Sequence, residues 1–141
     1  MMASDETWEA HPGWKEDLLR QEQIRRFDSG AVRSDDSKKP RWDLLPFAAI
    51  DQVAMVMEYG SRKYTDRNWE RGIPLMRMVG SALRHVKAWV LGEELDPRSG
   101  LHHLSHAAWN ILCLHELVIR RRLDLDDRPN GLGMAEGADQ S

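Results

Sequence analysis

One cysteine in 141 residues leaves no partner for an internal disulfide. Cys113 sits in the apolar run Leu112-Cys113-Leu114 and reads as a small core residue. No apolar run approaches the roughly 20 residues that cross a bilayer, and none leads the chain as a signal peptide would, so a cytoplasmic protein without a membrane partner is expected. An excess of one charge is missing too, since 20 basic and 23 acidic side chains give a formal charge of -3. That balance argues against a domain built mainly to neutralise nucleic-acid phosphates and suits a small charged ligand. Strict apolar–polar alternation is absent beyond a few positions, which disfavours a sheet. The chain also lacks a Gly-rich phosphate loop, because Gly60-Ser61-Arg62-Lys63 is not one, and no His is followed by Asp.

What is present is helical periodicity. Residues 1–33 form a polar extension in which only Trp14 to Phe27 has the composition of a short helix. Beyond Asp43, Leu44, Leu45, Phe47, Ile50, Val53, Ala54 and Met57 recur at steps of three and four, the spacing of one buried helical face. A helix is predicted from Pro46 to Gly60. Pro74 suits the entry of a second, from Leu75 to Leu91, with Val79, Leu83, Val86 and Val90 as its core stripe, Arg84 and His85 off centre, and Gly92 as its stop. A third is predicted from Leu101 to Leu123, its apolar stripe running through Leu104, Ala107, Ala108, Ile111, Leu112, Leu114 and Val118. The acidic, Gly-containing residues 124–141 read as a disordered tail. The fold class is therefore all-α, a bundle of about three main helices within residues 34–123. Three helices make a thin core for a chain with six tryptophans, so completion by homo-oligomerisation is expected.

Five of the six histidines fall between positions 85 and 115. On the third helix His103 and His106 are three apart and His102 and His106 four apart, spacings that let a pair converge on one ion. A zinc-protease helix is excluded, because position 103 is His where that motif needs Glu. Glu93, Glu94 and Asp96 precede the cluster across a short turn, and two acids just past a helix C-terminus sit unfavourably in its dipole. Carboxylates and imidazoles together suit Mg²⁺ or Mn²⁺, with the rings as ligands, as hydrogen-bond donors or as a base toward water. The metal candidates are Glu58, Glu93, Asp96, His103 and His106, and the catalytic candidates are His85, Glu93 and His103. Arg41, Lys63 and Arg84 suit phosphates, while Asn68 and Trp69 offer an amide and a stacking face for a base.

A longer pattern carries a resemblance. The string Asp35 to Pro46, then Tyr59-Gly60-Ser61-Arg62-Lys63-Tyr64, Asn68-Trp69, Arg84-His85, Gly92-Glu93, Asp96, Ser99-Gly100, His103 and His106-Ala107-Ala108 closely resembles the phage and bacterial family named for the N-terminal domain of dATP/dGTP diphosphohydrolase. The resemblance covers residues 30–120 and implies hydrolysis of purine deoxynucleoside triphosphates to monophosphate and pyrophosphate with a divalent metal. The helical organisation is also similar to the MazG-like nucleotide pyrophosphohydrolases, whose E-x-x-D pair binds Mg²⁺. Here His103-Leu104-Ser105-His106 stands in a place like that of the pair, and the first helix offers only Glu58, a departure that admits Mn²⁺ or Zn²⁺, or a site at Glu93 and Asp96. Nucleotide binding without turnover and a structural helical adaptor are the rival readings.

Overall fold

The computed structural model describes residues 24–129. The chain divides at Leu45/Pro46 into two compact units. In the first, Ile24–Arg26 (β1) and Val32–Ser34 (β2) pair antiparallel in the register Ile24↔Ser34, Arg25↔Arg33, Arg26↔Val32. This small ribbon corrects the expectation of a sheet-free chain, and its first strand occupies the end of the segment read as a short helix. The rest of that segment, 14–23, lies outside the described residues. Strands of three residues are too short to declare a period of two. The reversal between them closes through Phe27 N to Ala31 O at 3.0 Å and Gly30 N to Phe27 O at 2.9 Å, with Gly30 at φ 87°, a conformation glycine takes without a Cβ clash.

The second unit holds three helices: Phe47–Lys63 (α1), Leu75–Val90 (α2) and His103–Ile119 (α3). The all-α class holds for the body of the protein. Proline stands at the entry of α1 and α2, where a missing N–H costs nothing. α1 runs past Gly60 to Lys63, because a lone glycine weakens a helix by only about 1 kcal/mol and does not stop it. None of the described helices is long and apolar enough to cross a membrane.

The core is set by the α2–α3 contact. Leu75, Met78 and Ala82 of α2 are buried, with Cys113 and Leu117 of α3, and Met57, Trp69, Ile73, Trp109, Leu114 and Leu125 pack around them. This corrects the predicted stripe on α2, where Leu83 and Val90 are 62% and 67% exposed. α2 carries apolar residues on two faces, and the one through Leu75, Met78 and Ala82 turns inward. α3 shows the same inversion. His103, His106, Asn110, Cys113 and Leu117 form its buried stripe, while Leu104, Ile111, Leu112 and Val118 face out.

Of the stretch 124–141 read as a disordered tail, 124–129 fold back toward α2 and 130–141 lie outside the described residues. Leu123–Leu125 forms a 3-10 turn, and the Met76 amide donates to Asp127 Oδ1 at 2.8 Å near the start of α2. Gly72, at φ 110°, lets this segment approach, since a Cβ there would stand 2.8 Å from the Arg122 guanidinium and 3.0 Å from Leu125.

Candidate functional site

The turn between α2 and α3 is built by its glycines. The Glu93 amide donates to Ala88 O at 3.0 Å and the Gly92 amide to Trp89 O at 2.9 Å, with Gly92 at φ 97°, a Schellman closure that delivers Glu93 just beyond the helix. Asp96 N then bonds Leu101 O at 2.8 Å and Gly100 N bonds Asp96 O at 2.7 Å, while Leu95 bridges His102. His103 N bonds Glu94 O at 2.9 Å and ties α3 to the same turn. Glu93 and Asp96 thereby arrive beside the first turn of α3.

Three imidazoles meet there. His85 and His103 approach Nδ1 to Nδ1 at 2.8 Å, and the His85 ring stacks on His106 with centroids 4.6 Å apart and planes 10° apart. His103 Nε2 stands 3.2 Å from Glu93 Oε1 without hydrogen-bond alignment, which leaves it a buried nitrogen with no hydrogen bond. The Ser99 hydroxyl lies 2.7 Å from His106 Nε2 and 2.9 Å from Asp96 Oδ2, while Asp96 itself is 3.7 Å from His106. Asn110, one turn along α3, donates its Nδ2 to His106 O at 2.9 Å, so this polar side chain is satisfied within its own helix.

Electrostatics follow from burial. Desolvation lowers the His85 pKa, and the neighbouring imidazoles His106 and His103 lower it further. Desolvation likewise lowers His106, against the opposing pull of Asp96. Burial works to raise Asp96, but hydrogen bonds from the Ser99 hydroxyl and amide, joined by His106, outweigh it and hold the carboxyl below its ordinary value. Cys113, by contrast, is pushed up to about 12 by burial and is no nucleophile.

These groups open into a cleft of about 510 Å³. Lys63, Arg84, His85, Glu93, Asp96, His103 and His106, all singled out from the sequence, line it together. Tyr59, Arg98 and Trp109 line it as well, and Ser99 supports it, though none of these was assigned a role. A signal existed for two of them: Tyr59 precedes Lys63 by one helical turn, and Ser99 stands seven residues before His106. None of Lys63, Arg84 and Arg98 makes an ion pair among the described residues; Lys63 Nζ lies 5.3 Å from the Tyr64 ring centroid.

Other candidates fall elsewhere. Glu58 is bonded to Arg62 at 2.6 Å and faces a separate cavity of about 580 Å³ that also receives Trp69. Asn68 and Trp69 line a smaller pocket of about 90 Å³, which shares Gly60, Tyr64 and Trp109 with the histidine cleft. Arg41 belongs to the N-terminal unit, where it pairs twice with Asp43 at 2.7 and 2.6 Å. His102 is exposed and precedes α3, so the spacing of His102 and His106 does not operate within one helix.

Among the described residues no three carboxylate, imidazole or thiol groups converge as a ready-made metal cage. What the cleft offers is the hydrogen-bond-free His103 Nε2 beside Glu93, with Asp96 close to His106. That set fits an ion such as Mg²⁺, which commonly takes one or two carboxylates and completes its shell with phosphate oxygens and water.

Residues 29–128 match the family described as dATP/dGTP diphosphohydrolase, N-terminal. The chain belongs to this family. A relative from Salmonella phage PMBT28, named dATP/dGTP diphosphohydrolase, is 31% identical over 97 residues. The match takes in 69% of this chain and 32% of the relative, so it spans about a third of that protein's length. No solved structure matches.

Proposed function

We propose that the chain is a metal-dependent pyrophosphohydrolase that cleaves purine deoxynucleoside triphosphates, dGTP or dATP, to the monophosphate and pyrophosphate. The observation that carries this reading is the composition of one cleft, in which three unpaired cations share the walls with three imidazoles and two carboxylates. Lys63, Arg84 and Arg98 bind the phosphates and receive the charge that develops on the departing pyrophosphate. His85 takes a proton from water as its oxygen bonds to the α-phosphorus and the bond to the bridging oxygen breaks. Glu93 and Asp96, with His103 and His106, are the groups that would hold a divalent ion, Mg²⁺ or Mn²⁺ with Zn²⁺ as the further candidate. When bound, such an ion supplies Lewis-acid polarisation of the phosphoryl oxygens. The nucleoside lies toward the pocket of Asn68, Trp69, Tyr64 and Trp109, which adjoins the phosphate cleft. The purine and deoxy preferences rest on the family and on the name of the phage relative.

Two further parts of the proposal concern setting. The outward apolar faces of α2 and α3 belong to a homo-oligomeric interface, and the protein works in the cytoplasm of the cell where it is made. A second reading, binding without turnover, is favoured by the absence of a converged three-ligand set among the described residues. Incubating the protein with each of the eight common nucleoside triphosphates and Mg²⁺, Mn²⁺ or Zn²⁺, and weighing the products, separates the two. Monophosphate with pyrophosphate supports hydrolysis, diphosphate with phosphate removes the proposed bond, and unchanged nucleotide under every metal leaves binding alone.

A further inference from the structure

A glycine inside a helix costs stability relative to alanine, so its presence there calls for a physical reason. The described helices hold two, Gly60 in α1 and Gly80 in α2, and neither has a positive φ. Space accounts for Gly80, where a Cβ would stand 3.3 Å from Arg84 Nη1. Nothing in the fold accounts for Gly60. A Cβ there would meet no atom within 4 Å outside its own helix backbone and chain neighbours.

The room beside Gly60 opens on two cavities at once. Val56, Tyr59, Gly60, Lys63 and Tyr64 share one face of α1 along the wall of the histidine cleft, while Gly60 and Tyr64 also wall the pocket of Asn68 and Trp69. Trp109 of α3 is the third residue common to both. Gly60 therefore lies where one cavity passes into the other, with an aromatic ring from each helix beside it. Gly60 O accepts from the Tyr64 amide at 2.9 Å, and Trp109 Nε1 donates to Met57 Sδ at 2.8 Å. With those groups engaged, the helix backbone and the indole present carbon at the passage.

We propose that Gly60 is a specificity-determining position, over which the sugar of a nucleoside triphosphate crosses from the phosphate cleft to the base pocket. This rests on the nucleotide reading of the two cavities. Phosphates on Lys63, Arg84 and Arg98, with a base at Asn68 and Trp69, put the sugar between them, at the residues both cavities share. A bare helical turn lets the C–H face of a pentose lie against the backbone. A methyl group at position 60 fills the space that the ring needs, yet leaves the cations of the cleft where they are.

Calorimetric titration of the full chain in Mg²⁺ separates the crossing from the cleft. One probe is dGTP with an α,β-methylene bridge, which spans both cavities, and the other is methylenediphosphonate, which takes the phosphate cleft alone. In Gly60→Ala the nucleotide should bind about tenfold more weakly or worse, as overpacking a fitted contact does. Methylenediphosphonate should bind as before, and the urea midpoint should rise because alanine favours the helix. Gly60→Leu, which places a larger side chain on an equally helix-compatible residue, should deepen the loss for the nucleotide. Unchanged nucleotide affinity in both variants overturns the proposal, as does equal weakening of the two probes. A lowered urea midpoint in Gly60→Ala overturns it as well, by assigning the loss to the helix. If the expected pattern appears while the wild type releases no pyrophosphate from dGTP, the crossing stands and the hydrolase reading fails; turnover with unchanged affinity in both variants gives the reverse.

Discussion

His85 on α2 and His103 on α3 join the two helices through a single 2.8 Å nitrogen–nitrogen contact, and that contact tolerates at most one proton. Adding a second leaves two donors facing each other. Burial, the first cause of the lowered His85 pKa, opposes the same charge. His106, lowered by burial as well, stacks on His85.

Acid should therefore loosen the bundle well above the carboxylate range. An unfolded His titrates near about 6.5, and a folded-state value below that means the unfolded chain binds more protons in the interval. The stabilisation is complete above about 6.5 and is lost as pH falls toward the lowered folded values. Urea midpoints followed from pH 8 to pH 5 should stay level to about 6.5 and then decline. In His85→Gln the decline should shrink, and a curve parallel to wild type would remove His85 as its source.

Ser99 joins Asp96 and His106, so its loss affects both. Ser99→Ala removes the hydroxyl, which lies 2.9 Å from Asp96 Oδ2 and 2.7 Å from His106 Nε2 and also accepts from the Leu101 amide at 3.2 Å, and leaves three partly buried polar groups short of a partner. The expected cost is about 1–3 kcal/mol in chemical denaturation. Ser99→Thr keeps the hydroxyl and should recover most of it. Equal losses in both variants would assign the effect to the turn backbone instead.

The α3 part of the histidine cluster is legible in the sequence because His103 and His106 share one helix and a short turn with the two acids, whereas His85 reaches them through the packing of α2 on α3. The direction in which α3 faces is not legible that way. Hydropathy places Leu104, Ile111 and Val118 inside, yet the structure buries His103, His106 and Asn110, polar groups engaged by other protein groups around the site. A buried polar side chain with partners costs little, and the partners of His103 and His106 lie on α2 and in the preceding turn, which periodicity does not see. The same blindness moved the inward stripe of α2 from Leu83 and Val90 to Met78 and Ala82. Asn68 and Trp69, expected from the sequence to offer an amide and a stacking face for a base, line a pocket that only the folded turn after α1 brings beside the histidine cleft at Tyr64 and Trp109.

The unpaired cations give the phosphate proposal a graded test. Because Lys63, Arg84 and Arg98 make no ion pair among the described residues, replacing one removes an anion contact without stranding a charged partner. Arg84→Ala and Arg98→Ala should each weaken binding of a non-hydrolysable deoxynucleoside triphosphate roughly tenfold to a hundredfold, the worth of one charge-assisted hydrogen bond. Titrations at two salt concentrations should show the double variant less salt-sensitive than wild type. Arg120→Ala, which removes a cation from the separate cavity, should leave that affinity alone, and equal weakening in all three would point to a diffuse surface field.

The outward stripes argue for a second copy. Leu83 and Val90 on α2, with Leu104, Ile111 and Val118 on α3, form apolar rows that the three-helix unit does not cover, and the α3 residues recur every seventh position, the repeat of helix-to-helix packing. Leu83→Glu with Ile111→Glu places charge on both rows while leaving Met78, Cys113 and Leu117 undisturbed in the core. If these rows pair between copies, the wild type should sediment as an oligomer and the double variant as a monomer of 16.3 kDa with its helical circular dichroism retained. Leu117→Ala supplies the contrast: it removes a core side chain, should cost about 2–5 kcal/mol in folding, and should leave the assembly of the folded fraction unchanged. A wild type that sediments as a monomer at micromolar concentration would assign the two rows to solvent or to another partner and end the oligomer proposal.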